Sequence, residues 1–172
     1  MSIRIEITNR VFERRLAVFT QIMPRLPDRR QIYLSPEIKQ AIDGSRRNRT
    51  ISRRFGQARA LLETFVRGDL IVARWPPDKD VAAMVALLDP ENENVWEFRI
   101  GEPRPGLRIF GRFAAKDIFI GTNCYQREDL PEGDWPQEIK LCRHAWDSLF
   151  PTYPPLSGTG IHDFISNARL PP

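Results

Sequence analysis

Between Val95 and Asp129 the chain reads VWEFRIGEPRPGLRIFGRFAAKDIFIGTNCYQRED. Apolar and polar residues alternate there through three short runs. Period-two alternation sends one set of side chains into a core and the other to the opposite face of a sheet. The polar beats carry Arg99, Arg104, Arg108 and Arg112, and Arg127 follows Tyr125. If the runs are neighbouring strands, one open face carries several fixed guanidiniums, which suits a phosphate backbone better than an apolar ligand. Strands are expected at Val95–Gly101, Gly106–Ala114 and Asp117–Cys124. Pro103 and Pro105 stiffen the first link, and Ala114-Ala115-Lys116 is short enough for a hairpin.

The flanking segments supply helices. Ser2–Ile7 alternates and reads as a strand. Asn9 opens a helical pattern with Val11, Leu16, Phe19 and Met23 on one face, broken by Pro24 and Pro27. Gln31–Leu34 is a short strand. Ser35 as N-cap, Pro36 at the first helical position and Glu37 in the first turn open a helix that Gly44 ends. Residues 44–54, GSRRNRTISRR, hold Arg46, Arg47, Arg49, Arg53 and Arg54 in an inter-helix loop or first turn. Arginine there opposes the helix macrodipole, so helix stability does not explain it. Two explanations stand: a solvated connector, or a patch facing RNA or a ribosome. Phe55, Ala58, Leu61, Leu62, Phe65 and Val66 form the stripe of the next helix, which Gly68 ends. WPPDKD is a turn. In Val81–Asp89 the alanines favour helix, but the position before the strand cluster favours strand, which is the expectation. A closing helix begins at Pro136 and turns Ile139, Cys142, Ala145, Trp146 and Leu149 inward. The tail from residue 151 is rich in Pro, Gly and Ser and is expected to lie along a surface with little core of its own.

With 172 residues, one domain is the default. The expected division is an extension over 1–30, a domain over 31–150 and a tail over 151–172. The net charge is +4, built from 22 arginines and 4 lysines. That bias reflects either arginine-rich codon usage or a need for planar bidentate donors. Cys124 and Cys142 lack metal-ligand spacing, so no metal and no cofactor is expected. The start MSIRIEITNR lacks the pattern of a secretion signal, and no apolar run is long enough to span a membrane. A cytoplasmic protein with free thiols is the expectation.

In chain order, IYLSPEIKQAI, a helix ending in Gly, VWEFRIG, GLRIFGRF, DIFIGTNCYQRE and a closing helix resemble the toxins of the RelE/ParE superfamily, and most closely their HigB-like, phage-related branch. The resemblance covers about residues 31–149, and VWEFRIG followed by LRIF is its most specific part. It implies an α+β fold in which an antiparallel meander packs against N-terminal helices and a C-terminal helix. It also implies an endoribonuclease that cleaves mRNA, often on the ribosome, and is neutralised by an antitoxin. In such enzymes the 2′-hydroxyl attacks the adjacent phosphorus. That chemistry needs a base, cations for the phosphorane and an acid for the leaving oxygen. Carried over by position, Arg99, Arg108 and Arg127 are the phosphate-holding groups, with Arg108 the main clamp. Tyr125 matches an aromatic that stacks on a base. Arg104, Arg112 and the arginines of 46–54 would extend the RNA surface.

The family commonly shows two lysines after that aromatic, where this chain has Gln126, Arg127 and Glu128. Arginine holds phosphate well but moves protons poorly. His144 on the closing helix is the best proton-transfer candidate by intrinsic pKa, and Glu97 and Glu128 flank the site. The other open readings are structural: Arg99 and Arg108 paired with Glu97, Glu102 or Asp117, Tyr125 as half-buried packing, and His144 as a solvated group. The alternative function is a non-catalytic relative that contacts RNA, a ribosome, gyrase or another protein.

Overall fold

The computed structural model describes residues 2–22, 27–44, 49–75 and 82–172, with backbone alone for 49–52. In chain order the elements are α1 (Ile3–Phe12), β1 (Ala17–Val18), β2 (Gln31–Leu34), α2 (Pro36–Gly44), α3 (Arg49–Val66), β3 (Ile71–Arg74), β4 (Val85–Leu87), β5 (Trp96–Ile100), β6 (Leu107–Ala115), β7 (Ile118–Gln126), α4 (Pro136–Leu149), α5 (Ile161–Phe164) and β8 (Ala168–Arg169). Single 3₁₀ turns lie at Glu91–Glu93 and Arg127–Asp129.

The fold is α+β around one eight-stranded sheet, in the order β1-β2-β7-β6-β5-β4-β3-β8. The sheet is mixed rather than antiparallel throughout. β4 to β7 pair antiparallel with their sequence neighbours, as β1 does with β2. The β2–β7, β3–β4 and β3–β8 pairs are parallel. Both edges are strands of two residues, which leaves little unpaired backbone to template another chain.

Helices cover both faces. Ile38 and Ile42 of α2, the α3 stripe Ala58-Leu62-Phe65-Val66, and Ile161 and Phe164 of α5 pack on Ile32, Trp96, Phe98, Ile109, Phe113 and Phe119. On the other face Ile7 of α1 and Trp146 and Leu149 of α4 meet Ala114, Ile118 and Ile120. A third cluster joins Val95 and Phe110 to Leu130, Ile139 and Cys142. The start of α2 follows the expected capping, since Ser35 Oγ accepts the Ile38 N–H at 3.5 Å. Gly68, at φ 79°, takes the left-handed conformation that terminates α3.

Several expectations are corrected. Ser2–Ile7 is not a strand but the start of α1, and the helix expected from Asn9 to Met23 ends at Phe12. The 3.6-residue spacing of Ile3, Ile7 and Val11, together with the Glu6–Arg10 ion pair, outweighs the alternation. Residues 49–54 fall in the opening turns of α3, the second of the two placements expected, with the helix starting three residues before Ser52, and 45–48 lie outside the described residues. Within Val81–Asp89 the strand is the short β4. The turn expected at 75–80 falls almost wholly outside the described residues.

The tail is not a surface strap. Ile161, Phe164, Ile165 and Ala168 are buried in the main core, and β8 adds an edge strand. Arg30 anchors it. This side chain is fully buried, donates to the carbonyls of Phe65, Asp69, Ser166 and Asn167, and lies 3.5 Å from Asp117 Oδ1. Asp117 in turn accepts the Ser166 N–H at 2.7 Å.

Candidate functional site

The strand cluster holds its alternation. Leu107, Ile109 and Phe113 of β6 enter the core under α2 and α3, with Trp96, Phe98 and Ile100 of β5. The alternate set, Glu97 and Arg99 on β5 and Arg108, Phe110 and Arg112 on β6, faces the other way. That second face is not open, which corrects the expectation of an exposed arginine surface. α4 and the segment 127–135 cover it, so that Glu97 is 1% exposed, Arg108 9% and Arg112 6%. Leu130 and Ile139 pack on Phe110, and the Trp135 ring lies 5.5 Å from the Phe110 ring.

Register then sets neighbours. Arg99 stands opposite Arg108, and Arg108 opposite Tyr125. Two pairs along, and so on the same face, Arg74 stands opposite Ala86, Ala86 opposite Glu97 and Glu97 opposite Phe110. Glu97 is the centre of the cluster. Its Oε1 lies 3.3 Å from Arg99 Nε and its Oε2 3.2 Å from Arg108 Nε. Burial pushes its carboxyl above the ordinary range, against the opposing pull of Arg99, Arg108, Arg74 and Arg127. Burial lowers the Arg108 pKa, and Glu97 opposes that shift. Arg108 also donates to the Leu107 carbonyl at 3.0 Å.

Two clefts adjoin this cluster. The first, of about 490 Å³, is lined by Arg74, Glu97, Arg99, Arg127 and Trp135, with the exposed carboxylates Asp89, Glu91 and Asp134 also in its wall. The second, of about 560 Å³, is lined by Arg104, Arg108, Arg127, Glu102 and Glu128. Arg127 lines both. It donates to the Leu130 carbonyl at 3.1 Å, and its guanidinium lies 5.6 Å from the Trp135 ring. A third groove, of about 450 Å³, runs between α2, α3 and β7 and is lined by Ile38, Phe55, Cys124, Tyr125 and Arg54.

The sequence-derived residues therefore divide. Arg99, Arg108 and Arg127 come together around Glu97. Arg104 lies at the exposed end of the second cleft, 3.6 Å from Glu102. Arg112 is set apart under α4, donating to the Glu93 carbonyl with its guanidinium 5.8 Å from the Trp146 ring. Tyr125 is half-buried, edge-on to Phe110 at 5.2 Å, and burial pushes its phenol up to about 12. His144 is exposed on α4, whose inward face is Ile139, Cys142, Trp146 and Leu149, and it lines none of these clefts. Arg54 donates to Gln126 and lies 3.9 Å from Glu128, while Arg53 is exposed. The side chain of Arg49, and Arg46 and Arg47 entirely, lie outside the described residues.

Sequence reasoning missed Arg74, because the four-residue β3 was not recognised and its parallel neighbours are distant in sequence. Among the described residues, no group of three or more His, Cys, Asp or Glu side chains is placed to hold a metal ion, and no helix is long and apolar enough to cross a membrane. Comparison of the chain with protein-family models, with curated proteins and with solved structures returns no match.

Proposed function

We propose that the chain is a toxin-type endoribonuclease with a RelE-like antiparallel meander, acting in the cytoplasm on mRNA, free or on the ribosome, and held in check by an antitoxin protein. One observation carries the reading: Arg99, Arg108 and Arg127 converge beside two adjoining clefts, with a buried carboxylate between them. A phosphodiester lying across Arg127 meets guanidiniums from β5, from β6 and from the turn after β7. Such fixed donors stabilise the charge that builds on a phosphorane when a 2′-hydroxyl attacks. Trp135 beside Arg127 offers an aromatic surface for an adjacent base. The coarse chain order of β2, α2, α3, β3, the antiparallel run β4–β7 and α4 is what supports the RelE-like reading.

The deciding experiment incubates the purified protein with mRNA, with and without ribosomes. Cleavage by the wild type, reduced about 100-fold or more in Arg127→Ala, is the expected result. An intact message under both conditions overturns the enzyme reading.

A second reading, a non-catalytic RNA-binding protein on the same scaffold, is favoured by the outward position of His144 and by the poor proton-transfer chemistry of arginine. It predicts gel-shift binding that weakens steeply with salt and leaves the RNA uncut.

A further inference from the structure

Arg99 and Arg108 face each other directly across the β5–β6 pair. Like charges in that position destabilise a sheet unless something stands between them. Glu97, two residues before Arg99 and so on the same face, takes that place. Each of its oxygens meets the Nε of a different arginine, at 3.3 Å for Arg99 and 3.2 Å for Arg108. The Arg108 Nε–Glu97 Oε2 contact is an ion pair without hydrogen-bond alignment, so the carboxylate acts on the two guanidiniums by its charge, held at the inner nitrogen of each. Arg99 lines the first cleft and Arg108 the second, while Glu97 itself is 1% exposed. The carboxylate is therefore too enclosed to be the group that meets a polyanion. It is well placed to set the groups that do.

We infer that Glu97 is the positioning residue of the site: it holds Arg99 and Arg108 back to back so that both serve one phosphodiester spanning the two clefts. The inference rests on the RNA-cleavage reading for its substrate. It is distinct from the bland account of these contacts, in which a buried ion pair only supports the fold. Removing a fold support lowers the melting temperature and leaves each folded molecule equally active. Removing a positioning residue also misdirects the two guanidiniums in molecules that remain folded.

The test uses the full chain and two variants. Turnover is measured on a fluorogenic RNA and normalised to folded protein. Binding is measured on a non-cleavable 2′-O-methyl strand across a salt series. Glu97→Gln keeps the shape and removes the charge. Its expected kcat is about 100-fold lower, the scale of a misplaced group, with KM within about threefold of wild type. Its binding has a log-affinity against log-salt slope steeper by about 0.7, as loss of the carboxylate leaves one more net positive charge for the strand to neutralise. Glu97→Asp keeps the charge on a shorter arm that does not span both arginines. It is expected to keep the wild-type salt slope while kcat still falls at least tenfold, and it stands in if Glu97→Gln does not fold. Wild-type turnover per folded molecule in either variant overturns the inference. If the wild type itself does not cleave, the enzyme reading falls alone. The salt slopes then decide the role of Glu97, and an unchanged slope in Glu97→Gln overturns it.

Discussion

Arg30 shows how much one residue can hold in this chain. It has no solvent contact and donates to four carbonyls drawn from the end of α3 and from the tail. Its ion pair with Asp117 ties in the β6–β7 turn, and its guanidinium lies 4.9 Å from the Phe65 ring. Removing one partner of such a pair leaves buried acceptors and a charge without compensation, which costs about 3–5 kcal/mol. Arg30→Ala is expected to lose about that much in chemical denaturation, and a loss below about 1 kcal/mol contradicts the assignment. Tyr125 gives a pH signature. Its folded phenol titrates at about 12 against an ordinary value of about 10, because burial disfavours the phenolate. Between those values the unfolded chain sheds a proton that the folded chain retains, so stability falls as pH rises through that window. Unfolding followed from pH 9 to about 12 should show this fall, and Tyr125→Phe should reduce it. An unchanged slope in Tyr125→Phe places the cause elsewhere.

Among the elements, β6 carries the most. It is buried on both faces along almost its whole length, and β5 and β7 pair with it on either side. Its alternation was legible in the sequence, as were its neighbours, because each apolar beat serves the same core. What alternation does not encode is whether the opposite face meets water or a second layer. Arg108 and Arg112 read as exposed by residue type, yet α4, with Trp146 over Arg112, covers that face. Ile3, Ile5 and Ile7 show the converse failure. Three alternating isoleucines read as a strand, but α1 buries Ile7 and leaves Ile5 52% exposed. The tail eluded sequence reasoning because its anchors, Arg30 and Asp117, lie more than a hundred and about fifty residues away respectively. Gly111 was unremarkable in the sequence and is constrained in the structure. A Cβ there meets the Ile120 carbonyl oxygen at 2.1 Å, beside a register shift in the β6–β7 pair. Gly111→Ala is expected to destabilise the fold by more than about 2 kcal/mol in a denaturant titration. A change within about 0.5 kcal/mol contradicts that packing.

At the scale of the whole molecule, the net charge of +4 says little, and its placement says more. Arginines from β3, β5, β6 and the turn after β7 gather around one carboxylate, beside clefts whose exposed walls also carry acids. A fully basic groove would bind any polyanion. Guanidiniums set among carboxylates admit a phosphate only at particular positions. The candidate site was partly legible: Arg99 and Arg108 stood on the polar beats of the strand cluster, and Arg127 followed its last strand. The depth of Glu97, the contribution of Arg74 and the remoteness of His144 depend on parallel pairing and helix cover, which local sequence does not carry. The central claim is that these arginines serve phosphodiester transfer to a neighbouring 2′-hydroxyl. Its most direct measurement is the chemistry of the ends left on a defined RNA after incubation with the wild type and with Arg108→Ala. A 2′,3′-cyclic phosphate facing a 5′-hydroxyl, formed by the wild type and at least about 100-fold more slowly by the folded variant, is the predicted result. Ends of any other kind, or equal rates for the two proteins, contradict it.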